Sequence, residues 1–324
     1  MQTIRNMFLT EVSAEIKIPK YTLILCHKNP DPDTLGSAFA LKILLERYGS
    51  TVKVACADKP SSKFDFITGG DTLEYVEDAY ERIIAVDVAS PTQLGDLEFL
   101  KDKVDITIDH HAMNTRFSMY FELFCAACAE IIVELANNEL LIFDDLPKQF
   151  YVCAYAGISG DTGCFKYSNT NYRTMKFGAD LIMKGIDFAE INRLIFDSFT
   201  PGEIRAQKLV YDRLELLANG KLAVAIITNK DKKKYDFCDD DISNIVSTLR
   251  SIDSVLVAVS IKETKNANEY TISARSNCDI DVASICAQIG GGGHVRAAGA
   301  RLCAKSPKEA KQKVINLFMQ AFEK

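Results

Sequence analysis

The sequence holds no run of about 18 consecutive apolar residues, the length a helix needs to cross a bilayer, so no membrane span and no membrane partner is expected. Near its start, Glu11 and Glu15 break any apolar core that a secretory leader would require. Proline is scarce, with 8 in 324 residues, and no long polar tract occurs, which argues against large disordered segments. Positive charge is also lacking. With a formal net charge of −6, no global field would hold long duplex DNA by its phosphates. A local basic pocket remains open, and carboxylates committed to cations would themselves raise the acidic count. Among the 10 cysteines only Cys125 and Cys128 have CxxC spacing, and no second pair completes a zinc site. That pair lies in a run that reads as a buried helix, so reduced, packed thiols are expected. The balance of 48% apolar and 25% charged residues is that of a soluble globular protein, and the expected location is the cytoplasm.

Histidine is scarcer still, and its placement is informative. The 4 histidines are His27, His110, His111 and His294. Each falls in a dense cluster of polar or glycine residues after an apolar segment. Such placement points to chemistry rather than to packing.

Short apolar runs at 21–26, 51–55, 82–88 and 104–108 read as buried parallel strands. Between and after them, 35–45, 125–137 and 147–158 have helical spacing. This alternation predicts a doubly wound parallel sheet with helices on both faces. Ligands of such sheets sit beyond the carboxyl ends of the strands, and His27, Asp87 and Asp109-His110-His111 all follow strand ends. A mostly helical stretch, 174–217, is interrupted at Thr200-Pro201-Gly202. From Lys221 the pattern restarts, with strands at 222–227, 255–261, 270–275 and 297–303 and helices at 241–249, 281–289 and 308–322. This predicts a smaller α/β domain with a mixed sheet. The expected division is 1–195 for a metal-binding catalytic domain, 196–218 for a helical linker and 219–324 for a substrate-binding domain.

Four clusters carry the chemistry. His27-x-x-x-Asp31-x-Asp33 places an imidazole and two carboxylates on one loop stiffened by Pro30 and Pro32. Alone it also reads as a turn with a helix cap. Asp87 ends a buried strand, where an isolated charge needs a partner. In Asp109-His110-His111 the adjacent histidines face different ways, so one can ligate a metal while the other faces substrate. Asp161, in Gly157-Ile-Ser-Gly-Asp-Thr-Gly163, can approach a ligand closely because of its glycines, although a helix-ending turn has the same appearance. Together these fit a binuclear site. The imidazole and carboxylate donors suit two Mn2+ ions better than Mg2+ or Co2+, and the absent thiolates disfavour structural zinc.

In this order, the four motifs resemble the DHH phosphoesterase superfamily. Gly290-Gly-Gly-Gly-His294-x-x-Ala-Ala-Gly299 is similar to the glycine-rich signature of that family's associated C-terminal domain. The resemblance covers nearly the whole chain. It implies one cation held by His27, Asp31 and Asp87 and another by Asp33, Asp87, His110 and Asp161, with Asp87 bridging. Asp109 would orient its neighbouring histidines and His111 would face the scissile phosphate. Substrate would be held by Arg275, Gly291, Gly292, Gly293, His294 and Arg296, the glycines letting backbone N–H groups approach a phosphate. One departure is visible: Gln93 stands where the family has Arg before Leu94-Gly95.

The implied reaction is hydrolysis of phosphodiester bonds in very short oligonucleotides, linear dinucleotides such as pApA or pGpG, and the 3′-phosphate of pAp, by a metal-activated water. Alternatives are a cyclic-dinucleotide phosphodiesterase, a pyrophosphatase or polyphosphatase of the same superfamily, and a non-catalytic nucleotide-binding protein. By resemblance, a homodimer is compatible with the sequence.

Overall fold

Apolar runs too short for buried helices become the strands of a first sheet, and the amphipathic segments between them become its cover. The computed structural model describes residues 6–111, 115, 117–122, 125–242 and 244–322. The chain divides into a first unit ending at Ser198 and a second beginning at Phe199.

In the first unit the order is α1 (Leu9–Ile16), β1 (Tyr21–Leu25), α2 (Pro32–Arg47), β2 (Thr51–Ala55), α3 (Asp65–Thr68), β3 (Arg82–Val86), β4 (Ile106–Asp109), β5 (Met119–Glu122), α4 (Cys128–Glu134), α5 (Lys148–Asp161), α6 (Tyr172–Met183) and α7 (Phe188–Phe196). The strands form one sheet in the order β2-β1-β3-β4-β5, all parallel. All five residues of β3 are buried, as expected where both faces of a parallel sheet are covered. One face carries Ile24, Val54, Ile84, Val86, Ile106 and Ile108 against helical residues such as Leu35, Leu41, Ile131 and Phe150. On the other face Leu23, Leu25, Ile83 and Ala85 pack against Leu94, Leu97 and Leu100. Those leucines belong to a tight 3₁₀ segment, Pro91–Lys103, broken at Gly95, so the cover there is not an α-helix. Since β2 and β3 flank β1, the strand order reverses beside β1. His27 and Asp87 leave the sheet on the two sides of that switch point.

The second unit comprises α8 (Pro201–Arg213), β6 (Glu215–Leu217), β7 (Leu222–Ile227), α9 (Asn229–Tyr235), α10 (Ile245–Arg250), β8 (Val257–Glu263), β9 (Glu269–Ser276), α11 (Val282–Ala287), β10 (Gly292–His294), β11 (Ala297–Cys303) and α12 (Pro307–Met319). Its sheet runs β10-β11-β9-β8-β7-β6 and is mixed: β7 and β8 are parallel, the other pairs antiparallel. The segment expected as a linker is helical over α8, and Ala206, Leu209 and Val210 of that helix are buried in this unit's core beside Ala223, Ala225 and Leu249. The helix expected over 241–249 is a 3₁₀ turn, Asp240–Ile242, followed by the shorter α10. The glycine run does not stay a loop. Gly292–His294 pairs with Ala297–Gly299 as an edge strand, and a Cβ on Gly293 would lie 2.4 Å from the Ala297 carbonyl oxygen. Glycine is thus required there by the strand pairing itself. Among the described residues, no helix is long and apolar enough to cross a membrane.

Candidate metal centre

Asp31 is the N-cap of α2, its Oδ1 accepting from the Asp33 and Thr34 backbone N–H groups at 3.0 and 3.1 Å, so an extended residue ends the β1 loop and Pro32 starts the helix. Asp33, one residue into α2, is fully buried. Its carboxylate accepts from the backbone N–H groups of Cys128 (2.6 Å) and Ala129 (3.0 Å) at the start of α4 and from the Ser37 hydroxyl at 3.2 Å. A helix N-terminus thereby fixes an acid that its surroundings would otherwise reject.

Asp87 follows β3 with a left-handed backbone, φ 59°, a conformation that Asp tolerates better than bulkier residues. The bend turns its carboxylate back over the sheet edge. There Oδ2 lies 3.4 Å from His27 Nε2 and Oδ1 lies 3.4 Å from His110 Nε2. One carboxylate thus presents each oxygen to a different imidazole. His27 Nε2 is also 3.7 Å from Asp31. His110 Nε2 is 3.3 Å from Asp161 and 3.8 Å from Asp33. Both rings are oriented by backbone carbonyls: His27 Nδ1 donates to Lys28 O at 2.8 Å and His110 Nδ1 to Cys125 O at 3.2 Å. With the proton placed on Nδ1, Nε2 of each ring offers its lone pair to the cluster.

His111 is held differently. Its Nδ1 lies 2.6 Å from Oδ1 of Asp109, a residue with no solvent exposure. Asp109, expected from the sequence to orient its neighbouring histidines, contacts the His111 ring, and the Cys125 carbonyl lies beside Nδ1 of His110.

Asp161 is the last residue of α5 and not part of a loop, because α5 runs through Gly157 and Gly160. A Cβ on Gly157 would lie 2.8 Å from Asp33 Oδ1 and 2.7 Å from the Ala129 Cβ. The glycine that read as a turn is a close-approach point between helices. Gln93, at the position of the family's Arg, caps the 3₁₀ segment: its Oε1 accepts from the N–H groups of Ala89 and Ser90. Its carbonyl accepts from Lys28 N at 2.6 Å, tying the loop after Asp87 to the loop after His27.

Electrostatically, the cluster calls for cations. Among the described residues, Asp87 Oδ1 is buried without a hydrogen-bond donor. Burial and the neighbouring Asp87 charge push Asp33 up to about 7, and burial with Asp33 and Asp31 raises Asp161 well above the carboxylate range. Burial opposes protonation of His27 and His110, but the carboxylates facing them prevail and raise both. Protons are thus drawn to the positions where a cation would sit. Among the described residues, three groups have ligand atoms within 4.8 Å of one another and could hold a metal: His27 with Asp31 and Asp87, Asp33 with His110 and Asp161, and Asp87 with His110 and His111. In the third, His111 Nδ1 is already engaged by Asp109, which favours hydrogen bonding over ligation for that ring. The donors, imidazole nitrogen and carboxylate oxygen, fit a borderline or hard divalent ion.

In the second unit, Arg275, next to last in β9, lies opposite Ala297 of β11, and His294 of β10 pairs with the same Ala297. Arg275 and His294 therefore stand in one row on one face of the sheet. Gly291 adjoins β10 and Gly292 lies within it. Arg296 is exposed, 3.7 Å from Asp279.

Residues 21–158 match the model of the DHH family, N-terminal domain, and 219–324 that of the DHHA1 domain. The probable bifunctional oligoribonuclease and PAP phosphatase NrnA of Streptococcus mutans is 31% identical over 88% of this chain and 91% of its own length. The bifunctional oligoribonuclease and PAP phosphatase NrnA of Mycoplasma genitalium is 30% identical over 92% and 93%. An exopolyphosphatase-related protein from Bacteroides fragilis superposes with a TM-score of 0.86, covering 97% of this chain and 95% of its own, at 21% identity. That likeness concerns the fold. A histidine and carboxylate cluster on the switch point of a parallel sheet, in a chain with this second domain, defines a phosphoesterase, a hydrolase of ester bonds. The chain belongs to the DHH family.

Proposed function

We propose that this chain hydrolyses the phosphodiester bonds of very short oligonucleotides, linear dinucleotides such as pApA among them, and the 3′-phosphate of pAp. The reading rests first on one observation: Asp87 presents its two oxygens to two histidines, each belonging to a different ligand group. His27, Asp31 and Asp87 would hold one divalent cation, and Asp33, Asp87, His110 and Asp161 the second, Mn2+ being the best match to the donors. When bound, such a pair supplies a hydroxide at neutral pH and positive charge beside the phosphoryl oxygens. The chain's own part is positional. The carbonyls of Lys28 and Cys125 keep the Nε2 atoms of His27 and His110 turned inward, and the α4 N–H groups hold Asp33. Asp109 keeps the His111 Nδ1 proton in place and favours the protonated ring, whose affinity for protons it raises against the effect of burial. His111 would then stabilise phosphoryl charge or protonate the leaving oxygen through Nε2. Arg275, His294, Gly291, Gly292 and Gly293 would contact the substrate, with Arg296 at the exposed margin.

The names of the two bacterial relatives support oligonucleotide and PAP substrates. The test is incubation with Mn2+ and equimolar pApA, a short RNA oligomer, pAp, cyclic di-AMP and pyrophosphate, followed by anion-exchange chromatography. Mononucleotides from pApA and from the oligomer are expected, with phosphate from pAp. Phosphate from pyrophosphate alone would place the activity in another branch of the same chemistry.

A further inference from the structure

Thr34 is fully buried in the first turn of α2. The helix does not need its hydroxyl as a cap, because the Asp31 carboxylate already accepts from the Asp33 and Thr34 N–H groups. A hydroxyl in a helix ordinarily satisfies itself on a carbonyl of the preceding turn. That of Thr34 instead reaches 52 positions along the chain, donating to the Val86 carbonyl at 3.2 Å. The same Oγ1 accepts from the His27 N–H at 3.4 Å. One buried hydroxyl therefore joins the residue that leads into Asp87 to the backbone of His27. It lies just past Leu25 and Ala85, the last paired residues of β1 and β3. There it takes the place of one more rung between the two strands, which can part at the site and still stay in register.

The tie falls where the backbone is least at ease. Asp87 has φ 59°, in the left-handed region that a non-glycine residue keeps only when its surroundings hold it there. The peptide unit between Val86 and Asp87 is gripped at both ends. Its carbonyl accepts from Thr34, and its N–H donates to the Ile108 carbonyl at 2.9 Å. The φ angle of Asp87 is a rotation measured from that peptide plane. Fixing the plane therefore fixes where the bend sends the carboxylate, whose Oδ2 lies 3.4 Å from His27 Nε2. Removing the hydroxyl would release the Val86 carbonyl and the His27 N–H together, and each would then seek a new partner.

We infer that Thr34 is a positioning residue of the metal centre: its hydroxyl holds the Val86–Asp87 peptide and the His27 backbone in the placement that aims both side chains at a shared cation. The inference rests on the proposed reading of this cluster as a cation site and adds to it a residue outside the ligand set. Thr34 has no exposure to solvent, so it cannot touch a substrate and acts only through His27 and Asp87. The motif His27-x-x-x-Asp31-x-Asp33 stops one residue short of it.

The experiment measures equilibrium binding of Mn2+ to the chelator-stripped, full-length chain. Wild type is compared with Thr34→Val, which has nearly the same shape without the hydroxyl, and with Thr34→Ser, which restores it. Thermal melting in chelator establishes folding, and Thr34→Ala replaces the valine variant should that one not fold. Thr34→Val is expected to weaken Mn2+ binding on the order of tenfold, the worth of the lost hydrogen bonds, and to lower kcat on pApA with KM unchanged. Thr34→Ser should keep wild-type affinity. A merely structural hydroxyl would lower the melting temperature and leave the Mn2+ affinity of the folded chain alone. Wild-type affinity in a folded variant without the hydroxyl overturns the inference, as does a serine variant weakened as much as the valine one. A wild type that binds no Mn2+ removes the cation reading and this inference with it. A wild type that binds Mn2+ without hydrolysing pApA, with Thr34→Val still weakened, would remove the proposed reaction and leave the role of Thr34 standing.

Discussion

Asp109 and His111 separate positioning from ligation at the scale of single residues. Asp109 is fully buried, and its Oδ1 lies 2.6 Å from Nδ1 of the His111 ring. Asp109→Asn keeps the volume but removes the charge that favours the protonated ring. Turnover of pApA should fall by at least about a hundredfold, the usual worth of a positioned acid, while Mn2+ affinity stays near wild type because His110 is oriented by Cys125 O. Steady-state rates beside a Mn2+ binding isotherm check this, and unchanged turnover would contradict the role given to His111. Much of this centre was legible in the sequence as a gathering of residues. His27, Asp31 and Asp33 lie on one loop, and four scarce histidines each sit in polar or glycine-rich surroundings. The orienting groups were not legible. The carbonyls of Lys28 and Cys125 are backbone atoms, which no residue identity announces. The α4 N–H groups reach Asp33 across 95 residues of chain, and the CxxC pair that drew attention as thiols matters for where its backbone lies.

Elements decide how tightly those residues are held. Gly36 of α2 and Gly157 of α5 face each other so closely that a Cβ on Gly36 would lie 2.4 Å from the Cys153 carbonyl oxygen. Gly157→Ala would press on Asp33 and Ala129 together. We expect a loss of about 1–3 kcal/mol of stability from overpacking and a weakening of Mn2+ binding of about tenfold or more as the Asp33 carboxylate shifts. Urea unfolding and a binding isotherm measure the two effects. A variant with wild-type metal affinity would show that Asp33 does not depend on this contact. Strands with continuous apolar runs were readable, because a parallel sheet buries both faces of β1 and β3. Less readable were β5, a four-residue edge strand, and α9, whose sequence NKDKKKY has no apolar period and is fixed instead by the Thr228 and Asp231 capping pair. Gly157 and Gly160 misled for a physical reason: inside α5 a glycine serves helix contact and looks the same in composition as a turn's, whereas Gly163, with φ 56°, does lie in the turn that follows the helix.

Over the whole molecule, the two sheets differ in kind and in the side chains they gather. The parallel sheet gathers carboxylates and imidazoles at its switch point, where strand ends converge. The mixed sheet places Lys262, Arg275 and Arg301 on one face. Alternation of strand and helix patterns made both sheets predictable, but the cover of the second sheet follows from which faces α8 and α10 bury, which periodicity alone does not report. The account stands on cations completing the first site. The most direct test is the rate of pApA hydrolysis as Mn2+ is added back to chelator-stripped, full-length protein. The account predicts no hydrolysis in the stripped protein and a rise to a plateau at two bound ions per chain, whereas hydrolysis without metal, or a plateau at one ion, would contradict it.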